Sequence, residues 1–350
     1  MARKTGLLLD VSGIQSYIFG TNMLKQNVGA SWIVSHVLEE DYLQKALPLQ
    51  REQIVYQGGG NALLIFDNEE KAQDYSRLWS LKVLKDYPGV QPTAGIYTGE
   101  YPESETSNGF NLFLSACREN LKRSRSLDQV NTQIPRFGVT RECIYTGGSA
   151  QYYDDQLTSK AAGGLPKAYS HEVKIKYESY IPAERKLSKQ FQDQLLDYSF
   201  TDNFETLAGT TNDDHRAAMA VIHIDGNDMG KRFSILQSLQ RFKDISVEVS
   251  ALFEQALATV IEKTVELLSR DQLILKNMGI SAGILPVRPI ILGGDDITYV
   301  CHASLGLWSA ELFLTTLEAL QGESESKITA CAGIAFTKPS YPFDQVYYIA

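Results

Sequence analysis

At 350 residues the chain has room for two compact domains and is too long for one small module. Hydrophobic residues at 43% and charged residues at 21%, with 26 Gly and 11 Pro, exclude a disordered, collagen-like or low-complexity protein. The 33 basic side chains fall short of the 42 acidic ones, and the net charge of −9 excludes a broad phosphate-binding surface for non-specific DNA contact. The basic and then apolar opening reaches Asp10 too early for a signal peptide or a membrane span, so a cytoplasmic, membrane-free protein is expected. Cys117, Cys143, Cys301 and Cys331 form no CxxC pair, which predicts reduced, mostly buried thiols rather than disulfides or a cysteine zinc site.

The elements in chain order repeat themselves. GLLLDVSGIQ (6–15) reads as an apolar strand ending in Asp10, with Ser12 as helix N-cap and an amphipathic run through Ile14, Tyr17, Ile18 and Phe19. A hairpin about a glycine turn follows at 54–66, then a helical pattern at 69–86 and a strand at 93–98. The stretch 103–215 is more polar, with helices near 108–124 and 183–198 and a Tyr- and Gly-rich segment at 145–166. MAVIHIDGNDMGKRF (219–233) then repeats the opening, with a strand ending in Asp225, a Gly-containing turn and a helix start. A second hairpin lies at 289–300, a helix at 304–321 and a strand at 331–337. Gly60 to Gly95 spans 35 positions and Asp295 to Gly333 spans 38, a spacing that argues for duplication.

Each half therefore reads βαββαβ, the ferredoxin-like split unit. The predicted class is α+β: two such units forming a pseudo-dimer with a mainly helical insertion. The expected divisions are 1–102, 103–215 and 216–350. The last residues, 343–350, show helical apolar spacing without a stop signal, so the chain is expected to end inside an element.

The fold brings Asp225 beside Asp295 and Asp296 in the second half. Crowded carboxylates repel unless a cation neutralises them, and Mg²⁺ or Mn²⁺ with oxygen ligands does so. Two such ions about 4 Å apart would activate an attacking ribose hydroxyl and stabilise leaving pyrophosphate, as in nucleotide polymerases and cyclases. Gly293 and Gly294 permit a tight turn, and Gly226 and Gly230 offer backbone N–H groups to a triphosphate, with Asn227 and Asp228 between them. Lys231 is the nearest cation for the phosphates. The run 226–231 is not a Walker loop, being one residue short and ending in Arg232. In the first half Asp10 persists, but Gly60-Asn61 replaces Asp295-Asp296, so that unit is expected to be a structural or nucleotide-holding twin. Ser12 and Gly13 are candidates for a second nucleotide. Arg118, Lys122, Arg123 and Arg125 read as a solvated helix end, and His223 as a core histidine on the face of Asp225.

These residues resemble the polymerase-like large subunit of type III CRISPR effector complexes, the family that makes cyclic oligoadenylates from ATP. Asp10-Val-Ser-Gly-Ile-Gln-Ser-Tyr-Ile-Phe19 and Gly29-Ala-Ser-Trp-Ile-Val34 look like its first palm, and Tyr56–Asn61 like a degenerate hairpin. Asp225–Lys231 and Gly293–Asp296 are similar to the motifs of its catalytic second palm. The resemblance implies metal ligands at Asp225, Asp295 and Asp296, nucleoside triphosphate substrates, and effector subunits and guide or target RNA as partners. It also shows departures: no His-Asp dipeptide is present, so no HD nuclease and no DNA cleavage are expected. Cys143 stands alone where the family often binds zinc, Asn227 replaces a common aspartate, and the family's helical C-terminal domain is not seen. A silent nucleotide-binding scaffold and a diguanylate-cyclase-like enzyme stay open beside the cyclic oligonucleotide synthase, as do base preference and homo-oligomer formation.

Overall fold

A hairpin, two crossover helices and a central first strand recur twice along the chain. The computed structural model describes residues 2–58, 60–128, 138–154, 167–209, 217–271, 273–322 and 327–350. Two compact units form from interleaved stretches. The first takes Met1–Gly20, Trp32–Ser179 and Lys231–Asp244; the second takes Thr21–Ser31, Tyr180–Gly230 and Ile245–Ala350.

The chain enters through β1 (Ala2–Ser12), then α1 (Ile14–Phe19), α2 (Leu24–His36), which straddles both units, and α3 (Glu40–Ala46). The hairpin β2 (Ile54–Gly58) and β3 (Asn61–Phe66) precedes α4 (Glu69–Asp86), β4 (Gln91–Tyr101) and α5 (Phe110–Asp128). The sheet is antiparallel throughout, in the order β2-β3-β1-β4. The start of α4 follows from its sequence: the Asn68 side chain accepts the Lys71 N–H, and Glu69 and Glu70 complement the helix dipole. Its buried stripe, Ala72, Tyr75, Trp79 and Val83, has helical spacing. Helix α5 covers the sheet's other face, carrying Phe113 and Cys117 against Gly6. A ribbon of β5 (Tyr152–Asp154) and β6 (Lys167–Tyr169), helix α6 (His171–Glu178) and the later stretch Lys231–Asp244 complete this unit.

In the second unit α7 (Tyr180–Gln190), α8 (Gln192–Leu195), β7 (Ser199–Phe200) and α9 (Phe204–Ala208) lead to β8 (Met219–Gly226). Next come α10 (Met229–Ser234), α11 (Leu239–Arg270), α12 (Leu273–Met278) and β9 (Ile284–Leu285), which pairs with β7. The hairpin β10 (Val287–Gly293) and β11 (Asp296–His302), α13 (Gly306–Leu320), β12 (Ala330–Thr337) and α14 (Phe343–Ile349) follow. This sheet runs β10-β11-β8-β12, again antiparallel. Both sheets thus place their second, third, first and fourth strands in the same order, as expected of a βαββαβ unit. Residues 103–215 contribute α5 and α6 to the first unit and α7 to α9 to the second. The Tyr- and Gly-rich segment lies partly outside the described residues.

Two local expectations change. Ser12 is not an N-cap: it is the last residue of β1 and shares a 2.8 Å hydrogen bond with Thr93, while Gly13, at φ +66, caps α1. The 32-residue α11 has no counterpart in the first half, and its apolar stripe serves two cores in turn. Leu239 and Phe242 join the aromatic cluster of Phe110 and Phe113 in the first unit, whereas Phe253, Leu257 and Ile261 are buried in the second.

Candidate active site

Strands β8 and β11 are in register, so Asp225 stands directly opposite Asp296; on its other side Asp225 faces Cys331 of β12. Cross-strand partners point to one sheet face, which makes a row of carboxylate, carboxylate and thiol. The next row on that face is Thr298, His223 and Gly333. The β10–β11 hairpin closes over Gly294 and Asp295, and Gly294 has φ +76, an angle that the first central residue of a two-residue hairpin gives to glycine. The Asp295 carbonyl accepts the Gly226 N–H at 3.1 Å, which pins the turn over the end of β8.

The electrostatics follow from this crowding. Burial pushes the Asp296 carboxyl up to about 6; the nearby His223 ring opposes this, while Asp225 and Asp295 add to it. Asp295 is raised as well, chiefly by burial; a backbone hydrogen bond opposes this and Asp225 adds to it. Asp296 Oδ1 is buried without a hydrogen-bond partner among the described residues, and His223 Nδ1 lies 3.5 Å away. Mutually repelling carboxylates with a buried, unbonded oxygen suit a hard divalent cation in donor chemistry. Among the described residues no three His, Cys, Asp or Glu side chains stand close enough together to enclose one ion. The three aspartates therefore share a sheet edge without forming a closed ligand shell.

The other expected residues divide. Gly293 ends β10 opposite Asp296, beside the row. Gly226 and Asn227 do not present free backbone donors to a phosphate, because their N–H groups are taken by Asp295 and by the Thr329 carbonyl, the latter at 2.8 Å. The Asn227 side chain is also committed: it donates to Thr329 Oγ1 at 3.0 Å and accepts from Cys331 Sγ at 2.9 Å. Asp228 is exposed in the left-handed region at φ +57, which an aspartate tolerates in a turn. Gly230 and Lys231 are exposed in the first turn of α10, and Lys231 is grouped with the first unit. Ser12 and Gly13 also belong to that unit.

The matching row in the first unit is Asn61, Asp10 and Thr93. Asp10 is 4% exposed, and Arg125 of α5 donates to its carboxylate. Arg125 is thus not a solvated helix end. Burial still raises the Asp10 carboxyl, with Arg125 opposing that rise. Arg118 lies over the Phe242 ring at 5.9 Å, and Arg123 pairs with Glu119 at 2.5 Å. His223, read as a core residue, borders the acidic row; its position two residues before Asp225 was the available signal. Tyr347 meets it from α14, a contact without local trace in the sequence.

The βαββαβ sheet is built twice, and in the second copy carboxylates end the first strand and open the third, the arrangement of a palm-type domain. Residues 218–350 match the family described as Cas10/Cmr2, second palm domain, and residues 7–83 match Csm1 subunit domain B. The Cas10/Csm1 protein of Enterococcus italicus, a subtype III-A CRISPR system single-strand-specific deoxyribonuclease, is 34% identical over 113 residues, which is 29% of this chain and 15% of that protein. The solved Csm1–Csm4 cassettes in complex with cA4 and with one ATP superpose on 99% of this chain, with TM-scores of 0.57 and 0.58 at 14% and 16% identity. The superpositions cover 51% and 52% of those chains, so this chain spans about half their length. Over the matched stretches the chain is therefore Cas10-like, similar to the large subunits of type III CRISPR systems. No helix among the described residues is long and apolar enough to cross a membrane.

Proposed function

We propose that the second unit is a nucleotidyltransferase that joins ATP, or another nucleoside triphosphate, into short cyclic oligonucleotides serving as an antiviral signal. The observation that carries this reading is the register of Asp225 against Asp296, with Asp295 on the glycine turn beside them. In the reaction the 3′-hydroxyl of one nucleotide attacks the α-phosphorus of another, and pyrophosphate leaves. Asp225 and Asp296, with Asp295, would hold Mg²⁺ or Mn²⁺, which when bound lowers the pKa of the attacking hydroxyl and offsets phosphate charge. Gly294 keeps the turn narrow enough to present both of the following carboxylates at one edge. The first unit, whose one carboxylate is already matched by Arg125, holds a nucleotide near Ser12 and Gly13 without metal chemistry. The cA4 and ATP bound in the structural relatives support a nucleotide ligand, and their Csm4 partner supports an effector-subunit partner.

The test is incubation with each labelled triphosphate and Mg²⁺, with and without RNA, followed by resolution of products by mass. Joint Asp295→Ala and Asp296→Ala replacement is expected to leave a folded protein that releases no pyrophosphate from ATP; undiminished release would refute the assignment. The commitment of Asn227 to Thr329 and Cys331 favours a second reading, a silent nucleotide-binding scaffold. Nucleotide binding without product under both Mg²⁺ and Mn²⁺ selects it.

A further inference from the structure

Asp296 sits between two other carboxylates. It faces Asp225 across the sheet and follows Asp295 in the chain. An aspartate at the half-exposed start of a strand can relieve the resulting repulsion by rotating about χ1 toward water. On the protein side its Oδ1 meets His223, whose Nδ1 is 3.5 Å away. The same ring nitrogen lies 3.2 Å from the Thr298 hydroxyl and 3.5 Å from the Tyr347 hydroxyl. Tyr347 is 5% exposed and sets its ring at 63° to the imidazole, with centroids 5.0 Å apart. Its helix, α14, comes close to β12 at Gly333, directly opposite His223, where a β-carbon would strike the backbone of Ala350. Helix α14, Tyr347, His223 and Asp296 thus form one continuous chain of contacts.

We infer that His223 and Tyr347 are positioning residues for the acidic row: Tyr347 fixes the imidazole, and the imidazole holds Asp296 Oδ1 inward beside Asp225. The inference rests on the nucleotidyl-transfer reading. A ligand oxygen held in place before a cation arrives loses less freedom on binding. Removing the prop therefore raises the metal concentration required more than it lowers the rate at saturation.

The test uses the full chain with two readouts: Mg²⁺ dependence of ATP turnover, and the midpoint of Mn²⁺ binding without nucleotide. His223→Leu is expected to raise both midpoints about 2- to 5-fold, the range set by leaving one ligand side chain to be ordered on binding, with a smaller fall in kcat. Tyr347→Phe, which keeps the ring packing, shifts them about 2-fold on the same scale. His223→Asn, which keeps a donor near Nδ1, recovers most of the loss. Unchanged midpoints in His223→Leu and Tyr347→Phe, or an Asn variant as impaired as Leu, overturn the inference. Full turnover by the joint Asp295→Ala and Asp296→Ala variant instead overturns the reading beneath it. A dead double variant with unmoved His223→Leu midpoints overturns the positioning role alone.

Discussion

Asp10 and Asp225 end the first strands of two sheets of identical order, yet their surroundings are opposed. Asp10 is buried, faces Asn61 and Thr93, and is matched by Arg125 from the helix after the fourth strand. Asp225 is exposed and faces a second carboxylate, with a third on the adjoining turn. The helices after the fourth strands are themselves comparable. Helix α5 lies over Gly95, opposite Leu8, and α14 lies over Gly333, opposite His223. At Gly95 a β-carbon would come within 2.5 Å of the backbone of Cys117 and Leu121, so glycine permits the close approach that lets Arg125 reach back to Asp10. One copy matches its aspartate with its own arginine; the other sets its aspartate opposite a second carboxylate. The two sheets share one strand order, and a few side chains set their aspartates apart.

The largest expected stability effect is in the first copy. Arg125→Ala leaves a buried Asp10 unmatched and is expected to cost about 2 to 4 kcal/mol at neutral pH, by urea unfolding. The Asp10 carboxyl already titrates above its ordinary value in the folded state. Losing Arg125 raises it further, so the folded variant holds its proton more tightly than the unfolded chain does. The deficit should therefore shrink as the pH falls and the carboxylate takes up its proton.

The second copy responds in the opposite sense. The folded Asp296 carboxyl lies near 6 against an ordinary 3.8, so ionising it opposes folding. That penalty develops as the pH rises from about 4 to 6 and is fully present above. Asp296→Asn removes it and should be more stable than the parent above pH 6, by about 1 kcal/mol because a side chain 38% exposed is screened by solvent. Below pH 4 the two proteins should unfold alike, and a constant difference across the range would contradict the assignment. The smallest effect belongs to Asp225→Asn, expected within about 0.5 kcal/mol of the parent because the side chain is exposed.

The hairpins and the 69–86 helix are legible because their signals are local: glycine turns between apolar runs, and apolar residues at helical spacing. The register of Asp225 against Asp296 was foreseeable from the repeat, since a strand and hairpin of matched length leave few alignments. Contacts across long chain separations were not legible. Arg125 meets Asp10 from 115 residues away, and Tyr347 meets His223 from 124. The backbone N–H of Gly226 was misread for a similar reason, because its acceptor lies on a turn that only the folded sheet brings near.

The central claim is that the Asp225 row, and not the Asp10 row, recruits the divalent cation. Mn²⁺ binding measured by electron paramagnetic resonance with a non-hydrolysable ATP analogue, on the parent, Asp225→Asn and Asp10→Asn, tests it directly. The account predicts bound Mn²⁺ in the parent and in Asp10→Asn and its loss in Asp225→Asn. Retention of Mn²⁺ by Asp225→Asn, or its loss in a folded Asp10→Asn, would contradict it.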